Sequence, residues 1–161
     1  MQLALKTIMI ATDFEDAANL ALEYASVLAR RFDASLRIVH VVETPTMLGN
    51  EFGVLDVTRL AEAAIVDGEA RLAETLAQAG GGEVIGQVLV GHPAQKIVEY
   101  AADHAVDLIV MGTHGRGAIA HLFMGSVAER VVRTAPCPVF TVRDSEALRR
   151  VSAGRETATT C

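Results

Sequence analysis

Two hydrophobic periodicities alternate along the chain. Short aliphatic runs fall at Thr7–Thr12, Ser35–Val42, Val84–Val90, 107–111 and Val139–Val142, several of them apolar at consecutive positions. Strands covered on both faces read this way, as in a parallel sheet flanked by its crossover helices. The intervening segments carry helical spacing. Leu20, Tyr24, Val27 and Leu28 mark one apolar stripe, which Arg31 extends through its alkyl stem. Leu60, Ala64, Gly68, Leu72 and Leu76 mark a long helix over about 57–79. Ala94, Ile97, Val98, Ala101, Ala102 and Ala105 mark a third, and Val127, Val131 and Val132 a fourth that Pro136 stops. The alternation βαβαβαβαβ predicts an α/β, doubly wound parallel sheet of five strands with helices on both faces and right-handed crossovers.

Two stretches break the regularity. Residues 43–56 form a long connection with Pro45, Gly49 and Gly53, of a length common in binding loops. Residues 144–161 lose the alternation and are expected to form a partly disordered tail after a domain spanning 1–143. Pro138 opens the last run, as suits the first position of a strand. A bare edge at Val139–Val142 would pair with other chains unless managed. Homodimerisation through that edge is the expected solution, cover by the tail the alternative.

Composition narrows the class. The 161 residues are 51% hydrophobic but only 4% aromatic, with no Trp, so the core must be aliphatic. The net charge of −6 argues against sequence-independent nucleic-acid binding, which needs a basic footprint. No run is long and apolar enough for a transmembrane helix, and no cleavable leader pattern opens the chain, so a soluble cytoplasmic protein is expected. Cys137 and Cys161 make neither a disulfide framework nor a zinc spacing. Cys137 reads as a buried free thiol.

In doubly wound sheets, ligands bind beyond the carboxyl ends of the strands, where strand order reverses. The turn after the fourth strand is the only glycine-dense one: Met111-Gly112-Thr113-His114-Gly115-Arg116-Gly117, then Gly125-Ser126-Val127 opening a helix. These glycines permit positive φ and close backbone approach, and the helix start offers free N–H groups and partial positive charge. Together with the Ser126 hydroxyl they would cradle a phosphate. The competing reading is structural: Ser126 and Glu129 have the spacing of a capping box, and Gly112 could simply end a strand. Asp13 could accept from ribose hydroxyls or position Mg²⁺, or cap the first helix, a role for which Asp16 competes. Arg116 could neutralise phosphate. His114 and His121 flank the turn without completing a nucleophile–base set, while His40, His92 and His104 read as structural. Neither a P-loop nor a dinucleotide fingerprint is present.

The spacing Gly112-x2-Gly115-x9-Gly125-Ser126 resembles the nucleotide motif of the universal stress protein family. The likeness extends to Ile8-Met9-Ile10-Ala11-Thr12-Asp13, to Ile38-Val39-His40-Val41-Val42, and to the run from Gly125 through Val132 into Ala135-Pro136-Cys137-Pro138-Val139. It implies a Rossmann-like sheet in order 3-2-1-4-5, dimerisation through the last strand and, in one subgroup, ATP binding. It places Ala11, Thr12 and Asp13 beside adenosine and the backbone of Val41 on adenine. It wraps Met111, Gly112, Thr113, His114, Gly115, Arg116 and Gly117 around ribose and inner phosphates, and sets Gly125, Ser126 and Val127 on the outer phosphates.

The expected function is thus an ATP-binding dimeric regulatory protein, with Mg²⁺ on the nucleotide, no catalytic residues, no protein-held metal and an unspecified protein partner. A slow ATP hydrolase and a nucleotide-free interaction module are the alternatives. Valine at Gly112 and Gly125 is expected to abolish nucleotide affinity while sparing the fold.

Overall fold

The structure, a computed structural model, describes residues 4–43, 54–79, 82–113 and 124–143, with only the main chain of 54–57. In chain order the elements are β1 (Thr7–Thr12), α1 (Asp16–Phe32), β2 (Ser35–Val42), α2 (Val54–Gln78), β3 (Val84–Val90), α3 (Pro93–Asp103), β4 (Leu108–Gly112), α4 (Ser126–Thr134) and β5 (Val139–Val142). The five strands form one sheet in the order β3-β2-β1-β4-β5, parallel at every pairing. The expected fold and strand order are those observed. α2 begins at Val54, so it absorbs the last residues of the connection expected over 43–56. Residues 44–53 and the tail from 144 lie outside the described residues.

Side-chain alternation along the strands divides the core into two layers. Ile8 and Ile10 of β1, Leu36 and Ile38 of β2, and Val110 of β4 point to α1 and α2. Met9, Ala11, Val39, Ile109 and Met111 point to α3 and α4, where Ile97, Tyr100, Ala101, Ala128 and Val131 meet them. The central strands are therefore apolar at consecutive positions, whereas edge strand β3 is half-buried or exposed throughout.

α1 corrects the expected stripe. Val27 is 55% exposed and Arg31 is also on the outside. The buried positions are Ala17, Ala18, Leu20, Ala21, Leu22, Ala25, Ser26 and Ala29. α1 lies over the centre of the sheet, and small side chains let the backbones approach closely. At the far end of β4, an added Cβ on Gly112 would lie 2.9 Å from Ala17 Cβ and 3.0 Å from its carbonyl carbon. Ala102 and Ala105 on the third stripe, and Leu60 and Ala64 on the second, are likewise exposed.

β4 starts one residue later than expected, because Asp107 serves as a bracket rather than a strand residue. Its Oδ2 accepts the N–H groups of Lys6 and Thr7 at 2.8 and 2.9 Å, fastening the start of β1. α3 begins at Pro93 with His92 as N-cap. It ends in a Schellman motif, with Ala105 at φ +47 and Val106 N–H donating to the Ala101 carbonyl at 3.0 Å. Cys137 is half-buried rather than buried.

Candidate functional site

The strand order reverses between β1 and β4, so their carboxyl ends flank the crevice expected to receive a ligand. Ala11 pairs with Met111 across this junction, which brings Thr12 and Asp13 beside Gly112 and Thr113. Ala11 and Met111 place their side chains in the core, so only their main chain faces the crevice.

Thr113 ties three elements together. It is buried, its N–H donates to the Val142 carbonyl at 2.8 Å, and its carbonyl accepts from Gly125 N–H at 2.7 Å. The last bond brings the N-terminus of α4 to the end of β4. Within α4 the first bond from the cap is Glu129 N–H to the Gly125 carbonyl at 2.9 Å. The amides of Ser126, Val127 and Ala128 precede it and have no intrahelical acceptor. Gly125 is the N-cap and contributes no side chain. The half-buried Val127 packs inward while its amide stays at the helix opening.

This arrangement overturns two structural expectations. Ser126 is the first residue of α4, not its N-cap, and no capping box forms. Glu129 instead pairs forward with Arg133 at 2.8 Å on the solvent side. Nor do Gly112 and Gly125 supply positive φ: Gly125 sits at φ −72, and Gly91 is the one described glycine in the positive range. Gly112 is small because β4 abuts the first turn of α1. The valine pair expected to spare the fold would therefore not spare it.

The first turn shows how Asp13 is held. Phe14 N–H donates to Thr12 Oγ1 at 2.9 Å, and Glu15 N–H donates to Asp13 Oδ1 at 3.1 Å. Phe14 occupies the left-handed region at φ +66, which turns the chain sharply from β1 into α1. Glu15, not Asp13 or Asp16, is the N-cap of that helix. Asp13 is thus a turn residue, half-buried at the mouth of the crevice.

The ladder places Val41. Ser35 N–H donates to the Lys6 carbonyl beside β1, whereas Leu36 N–H donates to the Glu83 carbonyl beside β3. Odd-numbered residues of β2 therefore turn their main-chain polar groups toward β1. In a continued ladder the Val41 carbonyl would receive Phe14 N–H, but that donor goes to Thr12 Oγ1. The carbonyl of Val41 consequently faces the opening beyond β1.

A cluster that the sequence did not reveal backs this turn. His40 pairs with Thr12 in the ladder, and its Nδ1–H donates to the Thr12 carbonyl at 2.8 Å. Its ring centroid lies 4.4 Å from that of Phe14, and the Arg71 guanidinium lies 4.6 Å from the Phe14 ring centre. Its three members come from separate elements, so no local spacing signals them. His104, by contrast, stacks on Tyr100 far from the crevice.

His114, Gly115, Arg116, Gly117 and His121 lie outside the described residues. Among the described residues no group of His, Cys, Asp or Glu could hold a metal ion, and no helix is long and apolar enough to cross a membrane.

The fold and crevice define a doubly wound α/β domain with main-chain donors and acceptors gathered at its switch point. Residues 4–143 match the universal stress protein family, and the chain belongs to that family. It is 40% identical over 139 residues to a universal stress protein of Thermus aquaticus, covering 86% of this chain and 98% of that one. A universal stress protein of Methanocaldococcus jannaschii is 35% identical over 141 residues, covering 86% and 82%. Among solved structures, the universal stress protein UspA from Lactobacillus plantarum superimposes with a TM-score of 0.79 at 26% identity, covering 88% of this chain and 100% of that chain. A universal stress protein in complex with cAMP superimposes with a TM-score of 0.65 at 27% identity, covering 89% and 100%.

Proposed function

We propose that this protein binds an adenine nucleotide, ATP with Mg²⁺, at the switch point, and that it acts by binding rather than turnover. The observation that carries the reading is the pairing of the open Val41 carbonyl with the uncapped start of α4 across the β1–β4 junction. A carbonyl accepts from the exocyclic amine of adenine and opposes the carbonyl that guanine presents at the same position. Three amides and the Ser126 hydroxyl, reinforced by the helix dipole, suit phosphate oxygens. Asp13 Oδ1 is engaged by Glu15 N–H, and the other carboxylate oxygen is directed to ribose hydroxyls or to nucleotide-borne Mg²⁺. The structural relative complexed with cAMP supports an adenine ligand.

Calorimetric titration with ATP, cAMP and GTP, with and without Mg²⁺, tests the reading. Adenine nucleotides should bind at least tenfold more tightly than GTP. Absence of binding heat, with no adenine nucleotide released on denaturing natively purified protein, would refute it. The regulatory unit in this reading is a dimer joined through β5, an edge strand whose Phe140 is 41% exposed. Light scattering should give a dimer mass for the wild type and a monomer mass for Phe140→Lys.

A further inference from the structure

We propose that His40 is a positioning residue: its ring N–H sets the turn that presents Asp13 to the nucleotide. The inference rests on the adenine-nucleotide reading for its functional half. Its structural half stands alone.

The Thr12 carbonyl ends the β1–β2 ladder, and the residues after it must leave the strand and reverse into α1. A carbonyl has two lone pairs. The ladder register gives one to Val41 N–H, and His40 Nδ1–H takes the other at 2.8 Å. Because the carbonyl cannot donate, Nδ1 carries the proton in this contact. With both lone pairs engaged, the Thr12–Asp13 peptide plane is fixed, and so is the starting direction of Asp13. On the far side of Asp13 the chain is pinned again, by Phe14 N–H to Thr12 Oγ1.

The ring is itself confined. Phe14 lies against it at 4.4 Å, and that ring is covered by Arg71 of α2. Gly68, one helical turn before Arg71, leaves just enough room: an added Cβ would lie 3.0 Å from His40 Cδ2. The contacts of Phe14 with His40 and Arg71 oppose the strain of the left-handed backbone at Phe14. One stack from β2 to α2 thereby holds in place the turn bearing Asp13.

Two variants separate the donor from the ring. His40→Phe keeps an aromatic face for Phe14 and loses the N–H. His40→Asn loses the ring but carries an amide N–H near the position of Nδ1. Two readouts apply to each: hydrogen exchange of the Phe14 and Glu15 amides without ligand, and ATP affinity by calorimetry. His40→Phe should exchange both amides roughly five- to tenfold faster and bind ATP weaker by a similar factor, while His40→Asn should recover most of both. Gly68→Ala, which keeps His40 but crowds its ring, should weaken ATP binding without removing any donor. The proposal is overturned if His40→Phe leaves exchange at Phe14 and Glu15 unchanged, or if His40→Asn shows no recovery. Should the wild type bind no nucleotide, the binding reading fails separately, and the exchange rates still decide whether His40 sets the turn.

Discussion

Replacing Gly112 by alanine adds one methyl group to the end of β4, where the first turn of α1 already stands. That methyl would lie 2.9 Å from Ala17 Cβ, 3.0 Å from the Ala17 carbonyl carbon and 3.1 Å from Ala18 N. Two of these are main-chain atoms of a helix end, so no side-chain rotation relieves them. The strand or the helix must shift by several tenths of an ångström. Overpacking of this kind costs about 1–3 kcal/mol. Loss of glycine flexibility in the unfolded chain returns about 0.5–1 kcal/mol. A net destabilisation of about 1–2 kcal/mol should lower Tm by roughly 2–8 °C at this chain length. Gly82→Ala is the control, because nothing lies within 4 Å of its added Cβ. Thermal unfolding followed by circular dichroism, without nucleotide, should show Gly112→Ala melting lower and Gly82→Ala at or above the wild type. If Gly112→Ala melts with the wild type and merely loses nucleotide affinity, its smallness serves the ligand, and the packing argument is wrong.

Other consequences are open to measurement. Ser126→Ala should leave Tm within about 2 °C, because Ser126 caps nothing; an N-cap loss would cost about 1 kcal/mol, and a larger drop would contradict the cap assignment. The same variant should weaken ATP binding. Ala105→Gly should stabilise by about 1 kcal/mol, read as a rise in Tm, because Ala105 occupies the left-handed position of the Schellman motif. Burial pushes the Cys137 thiol above its ordinary range; a hydrogen bond from the Ile109 main chain opposes this, and the Asp107 carboxylate adds to it. In a Cys161→Ser background, alkylation of Cys137 should therefore be slower than that of a free thiol, with its pH midpoint displaced upward. The folded thiol keeps its proton where the unfolded one has lost it, so this group's share of stability falls as pH rises above the ordinary thiol range. Alkylation at the rate of an unhindered thiol would contradict the burial.

Much of the fold was legible because it depends on local pattern. Consecutive aliphatic residues at Thr7–Thr12 and Ser35–Val42 identify doubly covered strands, and Pro136 marks the end of α4. The glycine–serine spacing pointed to the carboxyl end of β4, which lies at the β1–β4 switch point, and the family resemblance supplied the strand order that is observed. The reading failed where one residue type serves two environments. Hydropathy selected Val27 on α1, whereas close packing over the sheet centre selected the alanines. The Ser126–Glu129 spacing fits a capping box, yet the helix starts one residue earlier, with Gly125 as its N-cap bonded to the Thr113 carbonyl, and Glu129 is left to Arg133.

By itself the sequence determined which segments are strands and helices, since the spacing of apolar side chains must match the 2.0- or 3.6-residue repeat of the backbone that buries them. It also determined where glycines and a serine cluster. Only the tertiary structure decided what those residues do. Whether Gly112 makes room for a ligand or for α1 depends on what stands opposite it, and whether Val41 offers its carbonyl depends on where β1 stops. The column of Arg71, Phe14 and His40 joins residues far apart in the chain, and such contacts leave no local periodicity behind.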